Sequence, residues 1–147
     1  KSLEEATIWK FVIQIGLALQ WLHINRILHR DIKSLNVFLT GSDDARLGDL
    51  GVAHVLSAGA DFANTLIGTP YYLSPEMCEQ RPYNEKSDVW AFGCVVYEMC
   101  TLRHPFEAKN PSALIMRIVG GAYDAVPESR SAELRALVTA CLAHEAS

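Results

Sequence analysis

From Val89 to Leu102 the chain reads VWAFGCVVYEMCTL, apolar nearly all the way round a helical wheel. A helix with no polar face has no side to offer to water, so it has to lie at the centre of a domain with other elements laid against it. Ser87-Asp88 just before it predicts the start of that helix. The elements to surround it are visible in the same sequence. Ile8, Phe11, Val12, Ile15, Leu19 and Leu22 recur at helical spacing, predicting one long amphipathic helix to about His23. Ser2 and Glu5 in the preceding SLEEA have the spacing of a capping box, and Lys1, Glu4 and Glu5 read as its solvated first turn. Ser74-Pro75 supplies an N-cap and first-turn proline for a short helix. Asn110-Pro111 opens another, stopped by Gly120-Gly121, and Ser129 or Ser131 opens a last one, Glu133 to about His144. Trp9, Trp21, Trp90, Met99 and Met116 fall in these patterns and are expected in the core.

Between the first helix and the central one the pattern changes. Ile27-Leu28, Val37-Phe38-Leu39 and Arg46-Leu47 are too short for helices and are separated by polar loops, including the turn-like Thr40-Gly41-Ser42-Asp43-Asp44. From Val52 to Tyr72 no period is evident, and a stretch of that length inside a compact domain usually serves function. The expected fold is therefore mainly α (α+β), a helical core with short β-strands around a polar loop. A length of 147 residues, half of them apolar and 20% charged, fits one soluble domain.

Several classes are disfavoured. Ile8 to Leu22 is interrupted by Lys10, Gln14 and Gln20 and is shorter than the roughly 20 apolar residues of a membrane span, and the start shows no signal-peptide pattern. Cys78, Cys94, Cys100 and Cys141 lack CxxC spacing and read as reduced core thiols, which points to a cytoplasmic compartment. A net charge of −4 with no basic run argues against a nucleic-acid partner. His23, His104 and His144 have no convergent acidic or cysteine neighbours and are expected to be structural or exposed.

The chemistry concentrates in ILHRDIKSLNVFLT, Ile27 to Thr40, where His29, Arg30, Asp31, Lys33 and Asn36 lie between two apolar runs. Loops on a rigid scaffold are where catalytic groups gather. Asp31, Asn36 and, further on, Asp49 in Gly48-Asp49-Leu50-Gly51 offer hard oxygen atoms suited to Mg2+, which completes its shell with water and substrate phosphates. Asp31 without a metal role could instead orient or deprotonate a hydroxyl, and Lys33 could neutralise a transferred phosphate. Together these parts describe phosphoryl transfer, in which positioning and charge neutralisation do most of the work.

In order and spacing, His29-Arg30-Asp31-Ile32-Lys33-Ser34-Leu35-Asn36, Asp49-Leu50-Gly51 and Ser74-Pro75-Glu76 resemble the catalytic loop, metal-binding triplet and activation-segment end of the protein kinases. Ser87-Asp88-Val89-Trp90-Ala91-Phe92-Gly93 is similar to the start of that family's central C-lobe helix. Gly68-Thr69-Pro70-Tyr71-Tyr72-Leu73-Ser74-Pro75-Glu76 and Pro105-Phe106 resemble the NIMA-related (Nek) serine/threonine kinases in particular. The resemblance implies Asp31 as catalytic base, Lys33 on the γ-phosphate of ATP, and Asn36 and Asp49 on Mg2+. It implies that Thr69 braces Asp31 and Lys33, and that Arg30 meets an activating phosphate on Thr65, placed by an upstream kinase or by autophosphorylation. It also implies that Asp88 ties the catalytic loop to the central helix, that Glu76 pairs with an arginine beyond the last helix, and that the partner is a protein substrate. Centrosome, cilium or cytoskeleton would be typical locations of such kinases.

Some positions depart from the pattern. Leu50 replaces the usual phenylalanine, as in some Nek-like members. His54 stands where the family often has Lys or Arg as a second phosphate contact, a role whose charge would depend on pH; the alternative is a strand-end histidine. Val52 resembles enzymes that prefer threonine as acceptor. Glu98 reads either as a contact for a basic substrate residue or as a helix-end charge. The Gly-rich loop, the strand lysine and its glutamate partner are not in the sequence, so residues 1–147 are expected to be a kinase C-lobe fragment without the N-lobe and the last part of the C-lobe, inactive as it stands. The alternative is a pseudokinase-like interaction or scaffold module.

Overall fold

The computed structural model describes residues 2–48, 54–55 and 70–144. Helix α1, Glu5–Ile24, leads into strand β1, Ile27–Leu28. A 3-10 turn at Ser34–Asn36 precedes β2, Val37–Leu39, which pairs antiparallel with β3, Ala45–Leu47, in the register Val37–Leu47, Phe38–Arg46 and Leu39–Ala45. β1 pairs antiparallel with β4, His54–Val55. The remaining described helices are α2, Pro75–Cys78; α3, Glu85–Thr101; α4, Pro111–Gly120; and α5, Ala132–Cys141. This is the helical, kinase-lobe-like architecture with short strands that the sequence implies.

Helix α3 runs through the middle, packed by α1 and α5, and contributes Trp90, Ala91, Phe92, Cys94, Val95, Val96, Tyr97 and Cys100 to the core. Trp90 stacks on Phe106 with ring centroids 5.5 Å apart. Where α3 crosses α5, Gly93 leaves no room for a side chain: a Cβ there would lie 2.5 Å from Cys141 Cβ and 3.1 Å from Leu142 Cδ2. Burial pushes the Cys100 and Cys141 thiols to about 11 and the Cys94 thiol well above its ordinary value, so these free cysteines are core groups and poor nucleophiles. Among the described residues no helix is long and apolar enough to cross a membrane.

Several sequence expectations need correction. α1 starts at Glu5 with Glu4 as N-cap and no side-chain cap, so Ser2 and Glu5 form no capping box. A tertiary contact takes the carboxylate instead. Glu5 Oε2 accepts the Ser131 backbone N–H at 3.0 Å, placing negative charge at the N-terminus of α5 and holding the Glu5 carboxyl below its usual range. Ser74 stands at the N-cap of α2 with Pro75 in the first turn, as expected, but its buried hydroxyl makes no capping bond. α3 begins earlier than Ser87-Asp88: Asn84 is its N-cap, accepting from Lys86 N–H at 2.8 Å, while Ser87 Oγ accepts from Asn84 N–H at 3.3 Å. Trp21 (61% exposed) and Met116 (76%) are on the surface, since each lies off the buried stripe of its helix, which carries Leu19 and Leu22 in α1 and Leu114 and Ile118 in α4. The start of α4 after Asn110 and of α5 after Ser131, with side chains accepting from Ala113 N–H and Leu134 N–H, agrees with the sequence.

Gly93→Ala should lower the unfolding free energy by about 1–3 kcal/mol, the usual cost of overpacking a core, read as a shift in denaturant midpoint. A second outcome concerns acid. The Ser42 hydroxyl, then Lys10 and Gln14, lower the Asp44 carboxyl from 3.8 to about 2. A depressed carboxyl contributes stability fully above its unfolded pKa and loses it as pH falls through the folded one. Asp44→Asn should therefore flatten the stability curve between pH 3.8 and about 2, measured by urea unfolding across that window.

Candidate functional site

The loop after β1 is shaped by one buried carboxylate. Asp88, 0% exposed in the first turn of α3, accepts the His29 backbone N–H on Oδ2 and the Arg30 backbone N–H on Oδ1, each at 3.0 Å. His23 Nε2 donates to Oδ2 at 2.8 Å, and the Tyr83 hydroxyl donates to Oδ1. Burial first, and the Asp88 charge second, push the Tyr83 phenol well above its ordinary pKa, so it stays a donor. His23 thus has an acidic neighbour after all, brought by the fold from 65 residues away. Four donors satisfy a charge that would otherwise be very costly to bury.

The same contact holds strain. Arg30 has φ 67, the left-handed region that costs a non-glycine residue about 1–2 kcal/mol. Its N–H bond to Asp88 fixes that conformation. The guanidinium lies 5.9 Å from the Tyr83 ring centroid, and its Nε is buried with no hydrogen-bond partner among the described residues. His29 is buried and set in one tautomer: Nδ1 accepts the Asp31 N–H at 3.3 Å, so Nε2–H donates to the Gly48 carbonyl at 3.1 Å.

Those constraints deliver Asp31 to its neighbours. Lys33 Nζ donates to Asp31 Oδ2 at 2.7 Å and Oδ1 at 2.9 Å. Asn36, buried in the 3-10 turn, donates through Nδ2 to Asp31 Oδ2 at 2.9 Å and to the Asp31 carbonyl at 2.7 Å. Both amide hydrogens are thereby used, and the amide oxygen is left with no donor among the described residues. The result is a half-buried carboxylate held in one orientation, with a cation and an amide oxygen beside it. It can take up a proton, while the ammonium can meet an anion.

Asp31, Lys33, Asn36, Arg30 and Asp88 therefore come together. Asp49, Thr65 and Thr69, like Leu50 and Val52, lie outside the described residues; His54 is described only as backbone in β4. Glu76 accepts a hydrogen bond from Ser87 Oγ, which ties α2 to the start of α3. Sequence reading assigned no role to His29, Tyr83 or Tyr72 and expected His104 without an acidic neighbour. In the structure His104 Nδ1 lies 3.0 Å from Glu98 Oε1, and the Tyr72 hydroxyl lies 2.9 Å from Ser34 Oγ. No local pattern announces these contacts, because each joins elements distant in sequence or across a turn.

The protein kinase domain family matches residues 1–147. The serine/threonine-protein kinase Nek1 of Mus musculus is 52% identical over 136 residues, covering 92% of this chain and 11% of that protein. Nek4 of Mus musculus is 51% identical over 140 residues, covering 95% and 18%. A probable serine/threonine-protein kinase nek2 of Dictyostelium discoideum is 44% identical over 140 residues, covering 93% and 33%. The chain thus spans between about a tenth and a third of the length of these relatives.

Asp88→Ala should cost about 3–5 kcal/mol of stability, as expected when a buried polar network loses its central acceptor. Denaturant unfolding measures the cost. A loss below about 1 kcal/mol would mean that the donors find water or other acceptors.

Proposed function

Because the chain belongs to the protein kinase domain family, in its serine/threonine, Nek-like branch, we propose that it is the catalytic and substrate-binding lobe of an enzyme that moves the terminal phosphate of ATP to a protein serine or threonine. The observation that carries this reading is the clasp of Asp31 by Lys33 and Asn36. In the proposed reaction the acceptor hydroxyl gives its proton to the Asp31 carboxylate as its oxygen bonds to phosphorus. The bond from the terminal phosphorus to the bridging oxygen breaks, and ADP leaves with that electron pair. Lys33 moves little to meet the phosphate, since its ammonium already stands beside the base, and a preplaced charge needs no reorganisation during the step.

Mg2+ fits the donor set. Asn36 offers an amide oxygen whose orientation is fixed by the two bonds its Nδ2 makes, and Asp49 would add a carboxylate of the hard type this ion takes. When bound, the ion would offset the negative charge of the nucleotide phosphates. Arg30 is assigned to an activating phosphate on Thr65, a reading supported by its buried, unpartnered Nε among the described residues. A purely scaffolding lobe would have no use for the Asp31 clasp.

The reading further holds that turnover needs a nucleotide-covering lobe in addition to residues 1–147. A polypeptide extended to include such a lobe from the same coding sequence should phosphorylate a Ser/Thr peptide, whereas residues 1–147 alone should not. In the extended protein Asp31→Asn should lower kcat by about 10²–10⁴-fold, the usual worth of a general base, with an unchanged unfolding midpoint. A wild-type rate in Asp31→Asn would sink the assignment.

A further inference from the structure

We propose that His104 is a positioning residue for the acceptor peptide, locking the segment Tyr71–Ser74 against the loop that carries Asp31 and Lys33. The functional half of this inference rests on the kinase reading above; the locking itself rests on geometry.

His104 lies just past the end of α3, where Leu102 adopts a left-handed conformation, φ 59 and ψ 26. Thr101 Oγ1 accepts the Arg103 N–H at 3.2 Å and holds that reversal. The chain is turned back on itself, so that His104 Nδ1 meets Glu98 Oε1 at 3.0 Å. Glu98, with a side chain only 15% exposed, is thus engaged by the imidazole through Oε1. The outer part of the imidazole is covered by two tyrosines. Tyr71 stacks on it with centroids 4.1 Å apart and planes 12° from parallel, and Tyr72 meets it edge-on at 5.7 Å and 87°.

The Tyr72 hydroxyl then reaches the catalytic loop. It lies 2.9 Å from Ser34 Oγ and accepts the Ser34 N–H at 3.4 Å. Burial pushes this phenol up to about 12, so it remains protonated and can serve as donor as well as acceptor. Ser34 directly follows Lys33, whose ammonium holds Asp31. A continuous series of contacts therefore runs from Glu98 on the central helix through His104, Tyr71, Tyr72 and Ser34 to the clasped carboxylate.

The segment needs such a clamp. Pro70 to Ser74 belongs to no described helix or strand, and its one internal backbone bond is Leu73 N–H to Pro70 O at 3.3 Å. Side-chain contacts have to fix it. An acceptor hydroxyl has to come within hydrogen-bond reach of Asp31, and the peptide carrying it then crosses the half-buried surface that Tyr71 and Tyr72 make beside Ser34. Loosening His104 acts on how that peptide is held, while Asp31, Lys33 and Asn36 keep their own bonds.

Two measurements test this. In residues 1–147, His104→Ala should speed amide exchange at Ser34 and Leu73 while leaving α3 protected, and unchanged exchange at both would overturn the locking. In the extended protein, His104→Ala should raise KM for the acceptor peptide about three- to tenfold, the size expected from losing a ring stack, with kcat and KM for ATP little changed. His104→Phe keeps the stack and should restore most of the peptide KM; His104→Gln keeps a partner for Glu98 but not the stack and should not. Equal loss in both variants, or a fall in kcat with peptide KM unmoved, would overturn the positioning role. If the wild-type extended protein shows no turnover, the kinase reading falls and with it the functional half of this inference, while the exchange result still decides the locking.

Discussion

The carboxylate of Asp88 is the interaction on which the rest of the site depends. It collects donors from α1, from the two backbone amides after β1 and from the loop before α3. A carboxylate with no access to water has to find such donors within the protein. The need works in both directions: the His29 and Arg30 amides are inside the domain too, and would be orphaned without it. Arg30 keeps its left-handed backbone under this constraint, and that bend is what sends the following residues toward Asn36.

The scaffold beneath is rigid for ordinary reasons. α3 is wrapped by α1 and α5 closely enough that Gly93 has no space for a methyl group, so Asp88 at its first turn is a fixed point. Loops can be arranged accurately only against such a point, and Asp31 and Lys33 sit on a loop. The 3-10 turn that carries Asn36 is pinned on its far side by Gly48 N–H to Asn36 O at 2.9 Å. The turn is thus held both to the acidic loop and to the strand after it.

Much of this was legible in the sequence. The all-round apolar run fixed the place of α3, and the 3.6-residue period fixed α1, because burial of a face is written directly in residue spacing. Asp31, Lys33 and Asn36 were legible as a motif, and the structure brings their side chains within hydrogen-bond distance. What failed were inferences that tertiary contacts override. Glu5 has capping-box spacing but binds the start of α5, and Ser74 stands at the N-cap of α2 without a side-chain bond to it. His23 and His104 look isolated because their carboxylate partners lie 65 residues away and around a left-handed turn, respectively. Trp21 shows the opposite error: an apolar residue at helical spacing is not thereby on the inward stripe.

The Asp88 contacts also bear on the order in which the chain can fold. His29 and Arg30 lie 59 and 58 residues before their shared acceptor, so the loop cannot take its bent form until that long segment has closed. α1 is local and can form early, whereas a contact of such separation waits on loop closure. On a ribosome, Asp31, Lys33 and Asn36 emerge before α3 and stay unshaped until its start has been made. The site is encoded ahead of α3 and completed by it.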